Sequence, residues 1–309
     1  MFGFVSRRAA AALVLALVTG AGPGLAQTLD LSPEQPGRLR AEKDSAIAAT
    51  IPKDFRFAED GVLTVAVAPG QPPIATYATD ARTVIGADPD LAQLVADLLG
   101  LKLKLVAVAW ADWPLGLASG RYDAVISNVG VTEERKQRFD FSSYRKGLHG
   151  FYVKSSSPIA SLKEPKDIAG LRIITSSGTN QERILLEWDR QNVARGLAPA
   201  ELQYYDDQAA WGLAIQAGRA DALFSVNASL AYQARDGSLK PVGTVSSGWP
   251  LDAETGITTR RGSGLADAFT AAINALIADG KYAGSLARWN LSAEAIDRSR
   301  TNPPGLPKF

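Results

Sequence analysis

The stretch Gly120-Arg-Tyr-Asp-Ala-Val-Ile-Ser-Asn-Val-Gly-Val-Thr-Glu-Glu-Arg135 decides the fold. Within it, Tyr122 to Ser127 is a short apolar run bounded by Gly120 and Asn128, the pattern of a buried strand. Thr132 then opens a charged segment, with Glu134 and Arg135, that reads as a helix start. A strand therefore runs into a loop, and the loop into a helix. This order leaves backbone N–H groups near Asn128 and Gly130, and the Ser127 and Asn128 side chains, at the carboxyl end of a strand, where open α/β sheets bind small anions. Arg135, one turn further on, offers a planar fork suited to a carboxylate.

Working outward, the chain repeats itself. Trp113 to Ser127 lines up with Trp211 to Ser225 at a constant offset of 98, with Trp, Leu, Gly, Arg, Asp, Ala and Ser coinciding. A helix, a Gly-Arg turn and a strand are thus used twice, which implies two lobes of similar build. Each Gly-Arg turn reads as a helix stop.

These residues carry a resemblance. The signature Asp123, Ser127, Thr132, Glu134 and Arg135 resembles that of the periplasmic solute-binding proteins of the polar amino-acid type, the family 3 extracellular solute-binding proteins that feed ABC importers. The likeness extends from about Gly61 to Trp289. It implies a type II periplasmic binding protein fold, α/β with two lobes and two crossover strands as hinge. It also implies closure around a small anionic or zwitterionic solute and delivery to an ABC permease in the inner membrane. Gly86-Ala87-Asp88-Pro89-Asp90-Leu91 is similar to the family's Gly-Phe-Asp-x-Asp-Leu, and Gly178-Thr179-Asn180 to its Gly-Thr-Thr loop. Trp110 matches the position of a ring that packs on the ligand, or it is a partly buried core Trp. Gln71 and Ile74 stand where the family usually presents an aromatic cover. Val226 and Asn227 stand where amino-acid binders usually place the Asp that meets the α-ammonium. Either Asn227 and another acid take over, or the ligand has no such group. Asp206 and Asp207 are the nearest candidates, with capping of the following helix as their other reading.

At the start of the chain, Arg7 and Arg8 precede an apolar run from Ala9 to Val18 and a cleavage-like Gly24-Leu25-Ala26, so 1–26 reads as a signal peptide and the protein as periplasmic. Ser6-Arg7-Arg8 is also a partial twin-arginine pattern, but Ala9 and Ala10 favour ordinary secretion. Removing those 26 of 309 residues takes away two of 33 basic residues and none of 32 acidic ones, leaving 31 against 32. That balance gives no reason to expect nucleic acid or an anionic membrane as partner. The chain has no Cys and one His, so disulfides are excluded and neither a zinc nor an iron–sulfur site is expected. No cofactor or metal is implied, and a monomer is expected.

The remaining 283 residues (309 less 26) suggest two domains. Residues 27–60 read as a polar leader arm lying on the first lobe, with a helical candidate from Leu39 to Ala49. The first lobe is expected over 61–153 and 254–309, and the second over 154–253. Val62 to Val67, Leu101 to Val108, Leu148 to Lys154, Leu171 to Thr175 and Leu202 to Tyr205 read as strands, and Glu254 to Arg260 resembles the family's second crossover strand. Leu91, Leu94, Val95, Leu98 and Leu99 mark the buried face of a helix whose Asp88 and Asp90 read as caps.

The expected ligand-binding set is therefore Arg135, Ser127, Asn128, Gly130, Trp110, Gly178, Thr179, Asn180, Asn227 and Gln71, with no catalytic residue. The alternatives are a periplasmic, dehydratase-like enzyme on the same fold and a ligand-binding subunit for a membrane sensor. His149, in a strand without Ser-His-Asp spacing, gives the enzyme reading little support.

Overall fold

The computed structural model describes residues 28–205 and 208–309, so the expected signal peptide, Asp206 and Asp207 lie outside the described residues. Twelve strands form two five-stranded sheets and one small ribbon. In the first sheet, β1 (Val62–Val67) pairs in parallel with β4 (Lys102–Ala107) and β5 (Ala124–Val125). β12 (Glu254–Arg260) then joins β5 and β6 (Phe139–Lys146) antiparallel. The ribbon is β2 (Thr76–Tyr77) with β3 (Val84–Ile85).

In the second sheet, β8 (Arg172–Thr175) pairs in parallel with β9 (Glu201–Tyr204) and β10 (Ala222–Val226). β7 (Leu148–Lys154) joins β10 and β11 (Leu239–Ser246) antiparallel. The strand orders, β4-β1-β5-β12-β6 and β9-β8-β10-β7-β11, are the same arrangement built twice. Among the described residues, eight α-helices accompany them: α1 (Ser45–Ala48), α2 (Ala87–Leu99), α3 (Trp113–Ala118), α4 (Asn180–Ala194), α5 (Gln208–Gln216), α6 (Asn227–Gln233), α7 (Leu265–Ala278) and α8 (Lys281–Arg288).

The duplication seen in the sequence is a duplication of packing. Trp113 and Trp211 are each buried on their own sheet. Asp123 N–H donates to Thr64 O while its carboxylate accepts from Thr64 N–H, and Asp221 makes the same pair of bonds with Arg172. Each repeat's Asp thus ties its strand to the neighbouring parallel strand. Gly120 and Gly218 adopt φ of 78° and 69°, the left-handed conformation that ends a helix.

One boundary differs from expectation. Leu148–Lys154 belongs wholly to the second sheet, so the first crossover falls at Gly147 and the first-lobe segment ends there rather than at 153. The return falls between β11 and β12, where Gly147 N–H donates to Ala253 O and Ser247 N–H to Gly147 O. These bonds join the two crossover segments into one hinge.

The five apolar positions of α2 are buried, as their spacing requires. Its acids are not caps: the cap position is Gly86, and no side chain bonds there. Asp90 instead accepts from Arg38 Nε (2.7 Å), Trp289 Nε1 (2.8 Å) and Arg288, while Asp88 serves the cleft described below. The leader lies against the first lobe. Arg40 grips Asp97 through two bonds of 2.6 and 2.7 Å, and Leu29, Leu31, Phe55 and Phe57 pack on the core. Its expected helix shrinks to α1, capped by Asp44, which accepts from Ala46 and Ile47 N–H.

Candidate functional site: a cleft between two lobes

A cleft of about 830 Å³ lies between the lobes. The first lobe contributes the loop after β1 (Ala68 to Gln71), the segment after β4 (Val108 to Ala111) and the loop after β5 (Ser127, Asn128, Gly130). The second contributes Ser176, Ser177 and Thr179 to Gln181 after β8, Tyr204 and Tyr205 after β9, and Ser225 and Val226 from β10. Every one of these follows or ends a parallel strand, the face on which open α/β sheets bind ligands.

Arg135 stands at this cleft and spans both lobes. Its Nη1 donates to Gly130 O (2.9 Å) and to Asn180 Oδ1 (3.0 Å), and its Nη2 to Gly178 O (3.1 Å). Its Cζ lies 5.6 Å from the ring centre of Trp110 and 5.7 Å from that of Trp113, so the guanidinium is within cation–π range of both rings. Among the described residues, every hydrogen-bond partner of the guanidinium is a neutral oxygen. Burial, and then the nearby Arg183, lower its pKa to about 10, and Glu134 opposes them. Such a cation favours an incoming anion.

The helix expected at Thr132 is a single 3₁₀ turn, Arg135–Gln137. Thr132 Oγ1 accepts from Arg135 N–H (2.9 Å), and β6 begins at Phe139, so no room remains for a longer helix. Glu134 pairs with Arg183 of α4, a second link between the lobes.

Beneath the first-lobe wall is a buried charge network. Asp88 accepts from Asn128 N–H (2.7 Å) and Tyr144 OH (3.0 Å). Arg145 bonds Asn128 Oδ1 and Glu294. Burial pushes Asp88 up to about 6 against the pull of Arg145, Tyr144 and Asn128. Burial alone would lower Arg145, but Glu294, Tyr144 and Asp88 outweigh it and raise it. Asn128, at φ 50°, is thus held from both ends.

The model of the bacterial extracellular solute-binding proteins, family 3, matches residues 63–292. The chain belongs to this family. Among curated relatives of this family 3 protein, the L-cystine-binding protein TcyJ of Escherichia coli K12 is 31% identical over 167 residues, covering 53% of this chain and 59% of that protein. The chain thus spans less than two thirds of that relative. The L-arginine-binding protein of Pseudomonas aeruginosa is 28% identical over 250 residues, 77% of this chain and 91% of that protein. A cyclohexadienyl dehydratase of the same organism is 30% identical over 130 residues, 41% of this chain and 48% of that enzyme. Among solved structures, an ancestral arginine-binding protein bound to arginine superposes with a TM-score of 0.64 at 28% identity, covering 74% of this chain and 98% of that one. The fold is the two-lobe, type II architecture.

Of the expected ligand set, Arg135, Ser127, Asn128, Gly130, Trp110, Thr179, Asn180 and Gln71 line the family 3 cleft. Gly178 and Asn227 do not. Gly178 N–H donates to Glu182 Oε2 (2.6 Å), so it is spent within its own loop. Asn227 opens α6 and accepts from Tyr152 OH (3.3 Å). The backbone donor expected at Asn128 is likewise spent, on Asp88. Ser127 Oγ accepts from Ala68 N–H (2.9 Å) and so fixes the facing loop.

Val226 lines the cleft and packs against the first-lobe core, an apolar contact across the lobes at the position usually given to an acid. Sequence reasoning missed Asp88, Tyr144, Arg145 and Glu294, whose partners lie 16 to 149 positions away. It also set His149 aside, although His149 lines the cleft.

Proposed function

We propose that this chain is the periplasmic substrate-binding component of an ABC importer, capturing a small carboxylate-bearing solute, an amino acid or a close analogue, by lobe closure. A permease in the inner membrane receives the loaded monomer. The observation that carries this reading is Arg135, whose guanidinium, among the described residues, bonds only to neutral oxygens of both lobes at the wall of the cleft, within cation–π range of Trp110. A ligand carboxylate there would gain a charge-assisted partner and tie the lobes together. The relatives named for cystine and arginine binding support the amino-acid class. Binding is preferred to a dehydratase-like activity because the arginine-binding relative aligns over 77% of the chain and the dehydratase over 41%.

The test is a thermal-shift screen of residues 27 to 309 against amino acids, their N-acyl and sulfonated relatives, and small organic acids. A ligand at a hundred times its Kd stabilises by about 2.7 kcal/mol, a rise of a few degrees. A shift with ordinary amino acids supports the reading with a free α-ammonium accepted. A shift only with acids lacking a free amine supports capture of a non-amino acid. No shift with any of them contradicts it.

A further inference from the structure

His149 is the chain's single histidine. It is 4% exposed, stands on β7 as the second residue beyond the Gly147 hinge, and lines the cleft. Among the described residues, neither Nδ1 nor Nε2 has a hydrogen-bond partner. The ring meets Phe224 edge-on at 5.7 Å, which fixes its plane but satisfies neither nitrogen. Ser247 shares these properties: it is 1% exposed, lines the cleft, and its Oγ has no partner among the described residues.

The two belong to one surface. His149 pairs with Val245 across the β7–β11 ladder, and Ser247 N–H donates to Gly147 O one step further along. Residues 147 and 149 on one strand and 245 and 247 on the other therefore share a sheet face. Asn180 Nδ2 donates to Ser247 O (2.9 Å), placing the first turn of α4 beside them. Buried polar atoms are nearly always paired, and an unpaired one costs about 1–3 kcal/mol. Two such groups side by side in a binding cleft indicate a ligand group that completes them.

We propose that His149 and Ser247 form a subsite for an uncharged donor–acceptor group, a carboxamide in the first instance, on a ligand whose carboxylate pairs with Arg135. This proposal rests on the solute-binding reading above. Burial holds the imidazole pKa down to about 3, so near neutral pH the ring is uncharged, with one N–H donor and one lone-pair acceptor. The Ser247 hydroxyl supplies one more of either kind. A carboxamide presents a carbonyl and an NH₂ side by side, so one of them can meet a nitrogen of the ring and the other the Ser247 hydroxyl. A second carboxylate or an ammonium would be desolvated there beside an uncharged ring and hydroxyl, with no opposite charge from either. An apolar chain would leave both groups unpaired, the situation that lets a polar pocket reject an isostere strongly.

The experiment is calorimetric titration of wild type, His149→Phe and Ser247→Ala with L-glutamine, L-glutamate and L-methionine, three probes of similar length. The expected result is that wild type binds L-glutamine at least tenfold more tightly than the other two. His149→Phe should lose at least tenfold for L-glutamine while holding L-methionine within threefold, and Ser247→Ala should lose at least fivefold for L-glutamine. In a sample labelled with ¹⁵N-histidine, L-glutamine should move the single pair of imidazole signals.

If L-glutamine binds wild type and both variants within twofold, with the imidazole signals unmoved, the subsite is overturned and the solute-binding reading stands. If none of the probes binds wild type, ligand-free melting decides. Removing unpaired buried atoms makes His149→Phe melt higher than wild type, and a lower melting point for both variants overturns the subsite.

Discussion

At the residue scale, the single histidine has a calculable effect on stability. In the unfolded chain an imidazole titrates near 6.5, whereas burial keeps His149 unprotonated down to about 3. Between those values the unfolded state binds a proton that the folded state refuses, so His149 withdraws stability as pH falls from 6.5 toward 3. A phenylalanine cannot do this. The stability difference between His149→Phe and wild type should therefore grow in the variant's favour on acidification, by about 1.4 kcal/mol per pH unit at most. Chemical denaturation at pH 7, 6 and 5 measures it, and a difference independent of pH would show that the imidazole takes up its proton equally in the folded and unfolded states. Asp88 acts in the opposite sense. Its folded pKa of about 6 exceeds the usual 3.8, so its contribution is fully present below 3.8 and lost as pH rises through 6. It is common to wild type and variant and cancels in the difference.

At the element scale, the duplicated helix–turn–strand unit sets the two lobes and brings their loops to one cleft. Gly218 ends α5 at φ 69° with open space where a Cβ would stand, so Gly218→Ala introduces backbone strain and no clash. About 1–2 kcal/mol should be lost, read from the urea midpoint, and a change below about 0.3 kcal/mol would deny the turn its role as helix stop. Local pattern made this unit legible in the sequence, along with β1, β7, β8 and the buried face of α2, because each is an apolar run or a 3.6-residue repeat between Gly, Pro and polar stops, whereas β12, the polar Glu254–Arg260, was legible only through the family resemblance. The helix at Thr132 was misread for a local reason: Thr132 Oγ1 accepts from Arg135 N–H as at a helix start, but β6 begins at Phe139 and leaves room for a single turn. The Asp88 and Asp90 caps were misread for a distant one. Their partners Tyr144, Arg38, Arg288 and Trp289 come from other parts of the chain, and no spacing rule contains them.

At the scale of the whole molecule, the lobes are joined by the crossovers at Gly147 and 247–253, and also by the carboxyl-terminal tail. Leu306 N–H donates to Val131 O (2.9 Å) and Leu306 O accepts from Glu133 N–H (2.9 Å), first-lobe bonds, while the fully buried Leu306 side chain sits in the second-lobe core. Phe309 lies 6.1 Å from Trp249. Pro303 and Pro304 lead into this tail, which links the first-lobe loop at Val131 to Glu133 with the second-lobe core. Leu306→Ala should cost about 2–5 kcal/mol by guanidinium denaturation, as for other fully buried leucines, and a loss under about 0.5 kcal/mol would mean that the tail is not part of the second core.

The central claim is that the cleft closes on a carboxylate held by Arg135, and a double-mutant cycle tests it most directly. Wild type and Arg135→Ala are titrated calorimetrically with the acid that gives the largest thermal shift and with its primary amide, in which the carboxylate is neutralised. A desolvated charge pair predicts that either change alone weakens binding by about thirtyfold or more, equivalent to 2 kcal/mol, and that the second change then adds little. If Arg135→Ala binds the acid within twofold of wild type, or if the two losses simply add, the carboxylate is held elsewhere and the account fails.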